Sequence, residues 1–201
     1  MNNGSGSPEW IVTLVCGASG VGKSRVARAL SVRYGAPLAE ADDIVTALRA
    51  MTTSKQAPEL HFWHTNPQAR SWAPERIAEQ HFRLAEALRP GLEAVILDHV
   101  EFAAPVVFDG DYLVPDLAVG FDGAVRAVVV SEPDESQLVK NLTSREPDEP
   151  EQRERAQVSL LVEAELIERA ASAGAPVVPA RPWDSVLDRS DLGLQSWHRR
   201  T

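Results

Sequence analysis

Cysteine occurs once in the 201 residues, at Cys16. An intrachain disulfide and a Cys-x-x-Cys metal site are therefore excluded. Cys16 lies inside an apolar run, where a thiol packs as a small hydrophobe. Lysine is almost as scarce: Lys23, Lys55 and Lys140 stand against 17 arginines. Codon bias accounts for most of that skew, yet it draws attention to each lysine that remains. Positive charge as a whole is in deficit, with 20 Lys and Arg against 29 Asp and Glu, a net −9. That balance argues against binding duplex nucleic acid or an anionic membrane through the overall field. No apolar stretch approaches the roughly 18 residues that span a membrane. Residues 1–8 show no basic region followed by an apolar one, so they read as a flexible leader and the expected location is cytoplasmic. The remaining composition, 44% hydrophobic and 24% charged, is that of one globular domain, expected over residues 9–201.

The pattern along the chain alternates strand and helix. Trp10 to Cys16 is a short, nearly continuous, β-branched apolar run ending at a glycine, as in a strand buried on both faces. Ser24 to Tyr34 has helical spacing (Val26, Leu30, Tyr34) and stops at Gly35. Ala36 to Ala39 predicts a second strand, and Ile44 to Met51 a helix. Residues 52–74 are broken by Pro58, Pro67 and Pro74 and read as a loop-rich insertion, with short helical pieces. Glu75 to Leu88 and Leu92 to Phe102 predict two helices, the first introduced by Pro74. Ala104 to Phe108 and Val125 to Ser131 predict strands. Ser136 to Leu142 begins a helix leading into a charged stretch over 145–155. Ala156 to Ala173 predicts a helix with Leu160, Ala164, Ile167 and Ala171 on its apolar face. A short strand over 175–179 and a helical turn over 183–187 close the pattern. Such alternation predicts a parallel sheet with helices on both faces.

Gly17-Ala-Ser-Gly-Val-Gly-Lys-Ser24 fits G-x-x-x-x-G-K-[ST] at every fixed position, between an apolar strand and an amphipathic helix. Glycines let the backbone wrap a phosphate with its N–H groups turned inward, and the helix start adds its positive end. Gly17, Ala18, Ser19, Gly20, Val21, Gly22, Lys23, Ser24 and Arg25 are thus the expected nucleotide-binding residues. Lys23 would reach the β- and γ-phosphates, and the Ser24 hydroxyl would ligate Mg²⁺. The motif predicts ATP with Mg²⁺.

The phosphate loop, the small size and the Arg-rich segment near residue 150 resemble the small P-loop kinases related to adenylate, shikimate and gluconate kinases. Val106-Val-Phe-Asp-Gly-Asp-Tyr-Leu-Val-Pro115 and Ala180-Arg-Pro-Trp-Asp-Ser-Val-Leu-Asp-Arg189 resemble segments of 2-phosphoglycerate kinase-like proteins. The resemblance covers about residues 9–190. It implies an α/β/α P-loop NTPase fold with a five-stranded parallel sheet ordered 2-3-1-4-5 and a lid. It also implies transfer of a γ-phosphoryl to a hydroxyl of a small metabolite, with a phosphoglycerate-like acid as the narrower acceptor. An antibiotic or nucleoside phosphotransferase, and a nucleotide-binding regulatory protein with weak ATPase activity, stay open beside it. So does the choice between monomer and homodimer.

Residue by residue, Asp43 is placed as the resemblance's base for the acceptor hydroxyl, with Asp42 beside it as a substrate contact. Either could instead cap the following helix. Asp109 is expected to hold Mg²⁺ with Ser24, and Asp111 to contact substrate, unless Asp109-Gly-Asp111 is only a tight turn. Arg145 and Arg153, with Arg155, fall in the lid expected over 143–156, where guanidinium groups would steady the moving phosphoryl. Five acids in that segment allow a solvated salt-bridged face as well. Residues 52–90 are the expected acceptor-binding insertion, with His64 and Arg70 as candidate contacts. Trp183 follows the last strand, near where adenine rests in related kinases, and is expected to serve core packing.

Overall fold

The computed structural model describes residues 8–197, so all but Pro8 of the expected leader lies outside the described residues. Five strands form one sheet: β1 (Val12–Cys16), β2 (Leu38–Glu40), β3 (Val106–Asp109), β4 (Val125–Ser131) and β5 (Val177–Pro179). Their order is β2-β3-β1-β4-β5, with every pairing parallel. β1 is central and buried at all five positions, as its unbroken apolar run requires. The register aligns Val15 with Asp109 and Asp109 with Glu40, so the carboxyl ends of β1, β2 and β3 finish level at one edge. Ligands of open parallel sheets sit at that edge.

Among the described residues seven α-helices surround the sheet: α1 (Lys23–Tyr34), α2 (Ala41–Met51), α3 (Pro58–Thr65), α4 (Pro74–Glu101), α5 (Glu135–Arg145), α6 (Gln152–Ala173) and α7 (Val186–Ser196). Short 3₁₀ turns cover Pro67–Ser71 and Pro115–Gly120. α1 and α7 pack together against one side of the sheet, α4 and α6 against the other, giving three layers. Arg33 and Tyr34 of α1 bind Asp191 of α7 at 3.1 and 2.7 Å.

Three expected boundaries change. The two helices expected over 75–88 and 92–102 are one helix of 28 residues with Pro90 inside it. An internal proline costs about 3 kcal/mol. Leu84, Leu88, Leu92 and Ile96 form a buried stripe at four-residue spacing across it. Each contributes roughly 1.5–3 kcal/mol on burial, so the stripe wins. The turn expected over 183–187 is instead a helix to Ser196, because Val186, Ser190 and Leu194 continue one buried face. On α6 the buried face is Ala156, Ser159, Val162, Glu163, Leu166 and Ala170, not the expected Leu160, Ala164, Ile167, Ala171 row; Ile167 is 37% exposed.

Glu163 on that face is held from the end of β4. Glu163 accepts a hydrogen bond from the Ser131 hydroxyl and one from the Glu132 backbone N–H, both 2.8 Å. Glu132, 1% exposed, in turn accepts from Arg181 at 2.6 and 2.8 Å. A buried carboxylate is tolerable only when so satisfied.

Candidate nucleotide and acceptor site

The glycine loop leaves β1 and enters α1 as the motif predicts. Gly20 and Gly22 have φ of 83° and 90°, the left-handed region that glycine enters at no steric cost. At Gly22 a Cβ would also lie 2.2 Å from the Trp183 ring. Ala18 and Val21 are fully buried beneath the loop. α5 braces it from outside. Asn141 donates to the Gly20 carbonyl at 2.8 Å, and Arg145 donates to the Ser19 hydroxyl at 3.0 Å.

Lys23 is 5% exposed, with Nζ 3.3 Å from the Ala18 carbonyl and ion-paired with Asp111. Burial alone would raise the Asp111 carboxyl, but the Lys23 ammonium outweighs it and holds the group below its ordinary value. Gly110 makes this placement fit. A Cβ there would stand 2.6 Å from the Ala41 side chain, so only glycine lets the β3 end approach the start of α2. Asp42 then stands among Asp111, Lys23 and Asp109. Although solvent reaches it, desolvation first and the Asp111 charge second raise its carboxyl above the ordinary range. Asp43, the expected base, is exposed at the next position of α2, about 100° around the helix. The electrostatic neighbours expected of a base are those of Asp42.

Asp109 is 5% exposed, and its Oδ1 is buried without a hydrogen-bond partner. An orphaned carboxylate oxygen at the carboxyl end of a central strand suits a cation or the water around it. Among the described residues no three His, Cys, Asp or Glu side chains converge on one point. That fits Mg²⁺, which takes one or two protein ligands and fills its shell with phosphates and water.

Two hollows meet at the loop. The smaller, about 290 Å³, is lined by Gly22, Ser24, Arg25, Asn141, Arg145 and Trp183. Arg25 stacks over the Trp183 ring at 4.9 Å. Trp183 is therefore not only core packing, since one face borders this hollow. The larger, about 720 Å³, runs from Ser19 between the 52–90 segment and the 146–159 segment. Trp63, Trp72, Ile77 and Tyr112 give it an aromatic and apolar wall. His81 borders it too, with Nε2 buried and unpartnered, and burial lowers its imidazole to about 4. His81 and Tyr112 stack at 4.9 Å.

The sequence argument missed His81, although Pro74, Ile77 and His81 fall at helical spacing on one face of α4 and all border the cavity. Of the expected acceptor contacts, Arg70 borders the cavity, while His64 is exposed on α3 away from it. Within the expected lid, 143–156, α5 ends at Arg145 and α6 begins at Gln152, with residues 146–151 linking them. Arg153, with its side chain 77% exposed, pairs with Glu135 at 3.3 Å and not with the loop. Arg155 borders the cavity and is tied to Glu146 at 2.7 Å.

Known proteins share this fold. A gluconokinase from Sinorhizobium meliloti 1021 superposes with a TM-score of 0.53 at 19% identity, over 92% of this chain and 91% of that one. TT1252 from Thermus thermophilus gives 0.57 at 18% identity, over 92% and 96%. Shikimate kinase from Bacteroides thetaiotaomicron gives 0.51 at 16% identity, again over 92% and 96%. No curated protein sequence matches significantly. Among the described residues no helix is long and apolar enough to cross a membrane. The family model described as an AAA domain matches residues 12–170. The chain thus belongs to that AAA-domain family and carries the P-loop α/β/α fold of the small kinases.

Proposed function

We propose that the protein is an ATP- and Mg²⁺-dependent kinase that transfers the γ-phosphoryl to a hydroxyl of a small molecule. The observation that carries this reading is the meeting of two hollows at one phosphate loop. The smaller, about 290 Å³, suits the outer part of a nucleotide, and the larger, about 720 Å³, leaves room for a second reactant. A simple nucleotide-binding module has no use for the second.

The residues divide the work as follows. Backbone N–H groups of Gly17 to Ser24 and the start of α1 hold the phosphates. Lys23 leaves Asp111 for the β- and γ-phosphates, and Arg25 with Trp183 border the outer part of the nucleotide. Ser24 and Asp109 would hold Mg²⁺, which when bound neutralises charge on the triphosphate. Asp42 accepts the proton of the acceptor hydroxyl as that oxygen bonds to the γ-phosphorus and the bond to the β-phosphate oxygen breaks, releasing ADP. Its raised affinity for a proton suits it to that task. Arg145, already on Ser19, lies nearest the transferring group, and Arg153 or Arg155 would join it only if the 146–151 link moved inward. Segment 52–90 forms the acceptor wall, and 143–156 the lid, within one domain.

The acceptor implied by the sequence resemblance is a phosphoglycerate-like acid. Arg70 is the unpaired cavity cation that would meet it, and Arg155 would have to leave Glu146 to join. The test is ADP release with a panel of hydroxylated compounds, phosphoglycerates included. Stimulation by one of them, lost in Lys23→Ala by about 100-fold or more, is the expected result. Undiminished turnover in Lys23→Ala would sink the reading.

A further inference from the structure

The charge and texture of the larger cavity speak to what it accepts. Its walls are aromatic and apolar, from Trp63, Trp72, Ile77 and Tyr112. Its volume, about 720 Å³, is that of a pocket for a drug-sized ligand, well beyond a three-carbon acid. The charged groups at its rim do not balance. Arg155 is spent on Glu146, and Glu146 also takes Arg145 at 2.8 Å. Glu149, Glu151 and Glu154 border the cavity with no ion pair among the described residues, against Arg70 as the unpaired cation. His81 adds no positive charge at neutral pH, because burial keeps its ring neutral. Its buried, unpartnered Nε2 supplies one hydrogen-bonding position in an otherwise apolar wall.

We infer that the acceptor is a hydroxylated compound with an apolar or aromatic body and a cationic or neutral head, not a hydroxy acid. This rests on the kinase reading above. In it, the body lies between Trp63, Trp72 and Ile77, the head points to the Glu149, Glu151 and Glu154 rim, and the reacting hydroxyl lies at the His81 and Tyr112 end, toward Asp111 and Asp42. An amine head would be drawn by three carboxylates. A carboxylate head would face them with Arg70 alone in its favour, and exposed pairs of that kind are weak.

The test uses three probes that share one skeleton and one benzylic hydroxyl: 3-amino-1-phenylpropan-1-ol, 1-phenylpropane-1,3-diol and 3-hydroxy-3-phenylpropanoate. Binding is followed by quenching of tryptophan fluorescence in the ADP-bound protein, with Trp72→Phe as control. Turnover is followed by ADP release. The amine is expected to bind on the order of tenfold tighter than the acid, with the diol between, and added salt should narrow the gap. The triple variant Glu149→Gln, Glu151→Gln, Glu154→Gln should erase the preference, bringing the binding constants of the amine and the acid within about twofold of each other in the same fluorescence titration. Tighter binding of the acid, or a preference indifferent to the triple variant, overturns the inference. If the order of binding holds but no probe stimulates ADP release in any variant, the kinase reading fails and the assignment of ligand class stands on binding alone.

Discussion

A nucleotide entering the loop has to take Lys23 from Asp111, and that competition can be measured. At an effective dielectric of about 20 and a separation of about 3 Å, the gross attraction is roughly 5 kcal/mol. Desolvation of a lysine that is 5% exposed and of a carboxylate still 39% open to solvent returns most of it. A net of about 1–2 kcal/mol remains. Asp111→Asn keeps the shape and removes the charge. The nucleotide-free protein should lose roughly 1–3 kcal/mol, because the buried ammonium keeps only the Ala18 carbonyl. Its melting temperature should fall by about 2–4 °C per kcal/mol. ADP no longer competes with the carboxylate and should bind about 5- to 30-fold tighter. Calorimetric titration with ADP without Mg²⁺ isolates the lysine, and thermal melts with and without saturating ADP separate the two effects. An unchanged melt in the free protein, together with unchanged or weaker ADP binding, would refute the reasoning. It would mean that Asp111 assists the nucleotide and does not hold its seat.

Further expectations concern neighbouring groups. Gly110→Ala places a Cβ 2.6 Å from Ala41 and should cost about 1–3 kcal/mol in thermal stability, with Asp42 displaced and turnover lowered further than stability alone predicts. Asp42→Asn should abolish turnover while Asp43→Asn retains most of it; equal losses would count against Asp42. Because the Asp42 carboxyl is raised and must be ionised to accept a proton, the acid limb of kcat/KM should lie above the ordinary aspartate value of about 3.9 and vanish in Asp42→Asn. Glu163→Gln turns one of two acceptor oxygens into a donor facing the Ser131 hydroxyl or the Glu132 N–H, and unfolding in urea should show a loss of about 1–3 kcal/mol.

Local signals made the phosphate-binding half legible in the sequence. β1, the glycine loop and α1 follow from consecutive residues whose demands are met by their own neighbours. The sheet order came from resemblance and agrees with the observed pairing. What failed depended on distant partners. Pro90 looked like a break because a proline's cost is visible locally, whereas the gain from Leu84, Leu88, Leu92 and Ile96 is realised only against the sheet. The α6 face was misjudged because Ser159 and Glu163 look solvent-facing until Ser131 and Glu132 are brought to meet Glu163. The proposal of Asp42 over Asp43 rests on helix phase against the β3 end, which adjacent carboxylates in a sequence do not reveal. His81 was overlooked because aromatic residues drew attention to 61–72, while the cavity continues one helix further along the chain.

The length of α4 has a mechanical consequence. Its first two turns carry Pro74, Ile77 and His81 on the wall of the larger cavity, and its next four carry Leu84, Leu88, Leu92 and Ile96 locked in the core. Wall and core are one rod, so this jaw of the cavity cannot swing without dragging the central layer with it. On the opposite side, α6 is pinned at Glu163 to the end of β4, and the six residues 146–151 before it form no helix. The cavity is a vice with one fixed jaw and a short strap for the other. A reactant held there would be gripped by the strap, and substitutions that retune its fit belong at Pro74 and Ile77 on the fixed jaw, about two turns or more before Leu84.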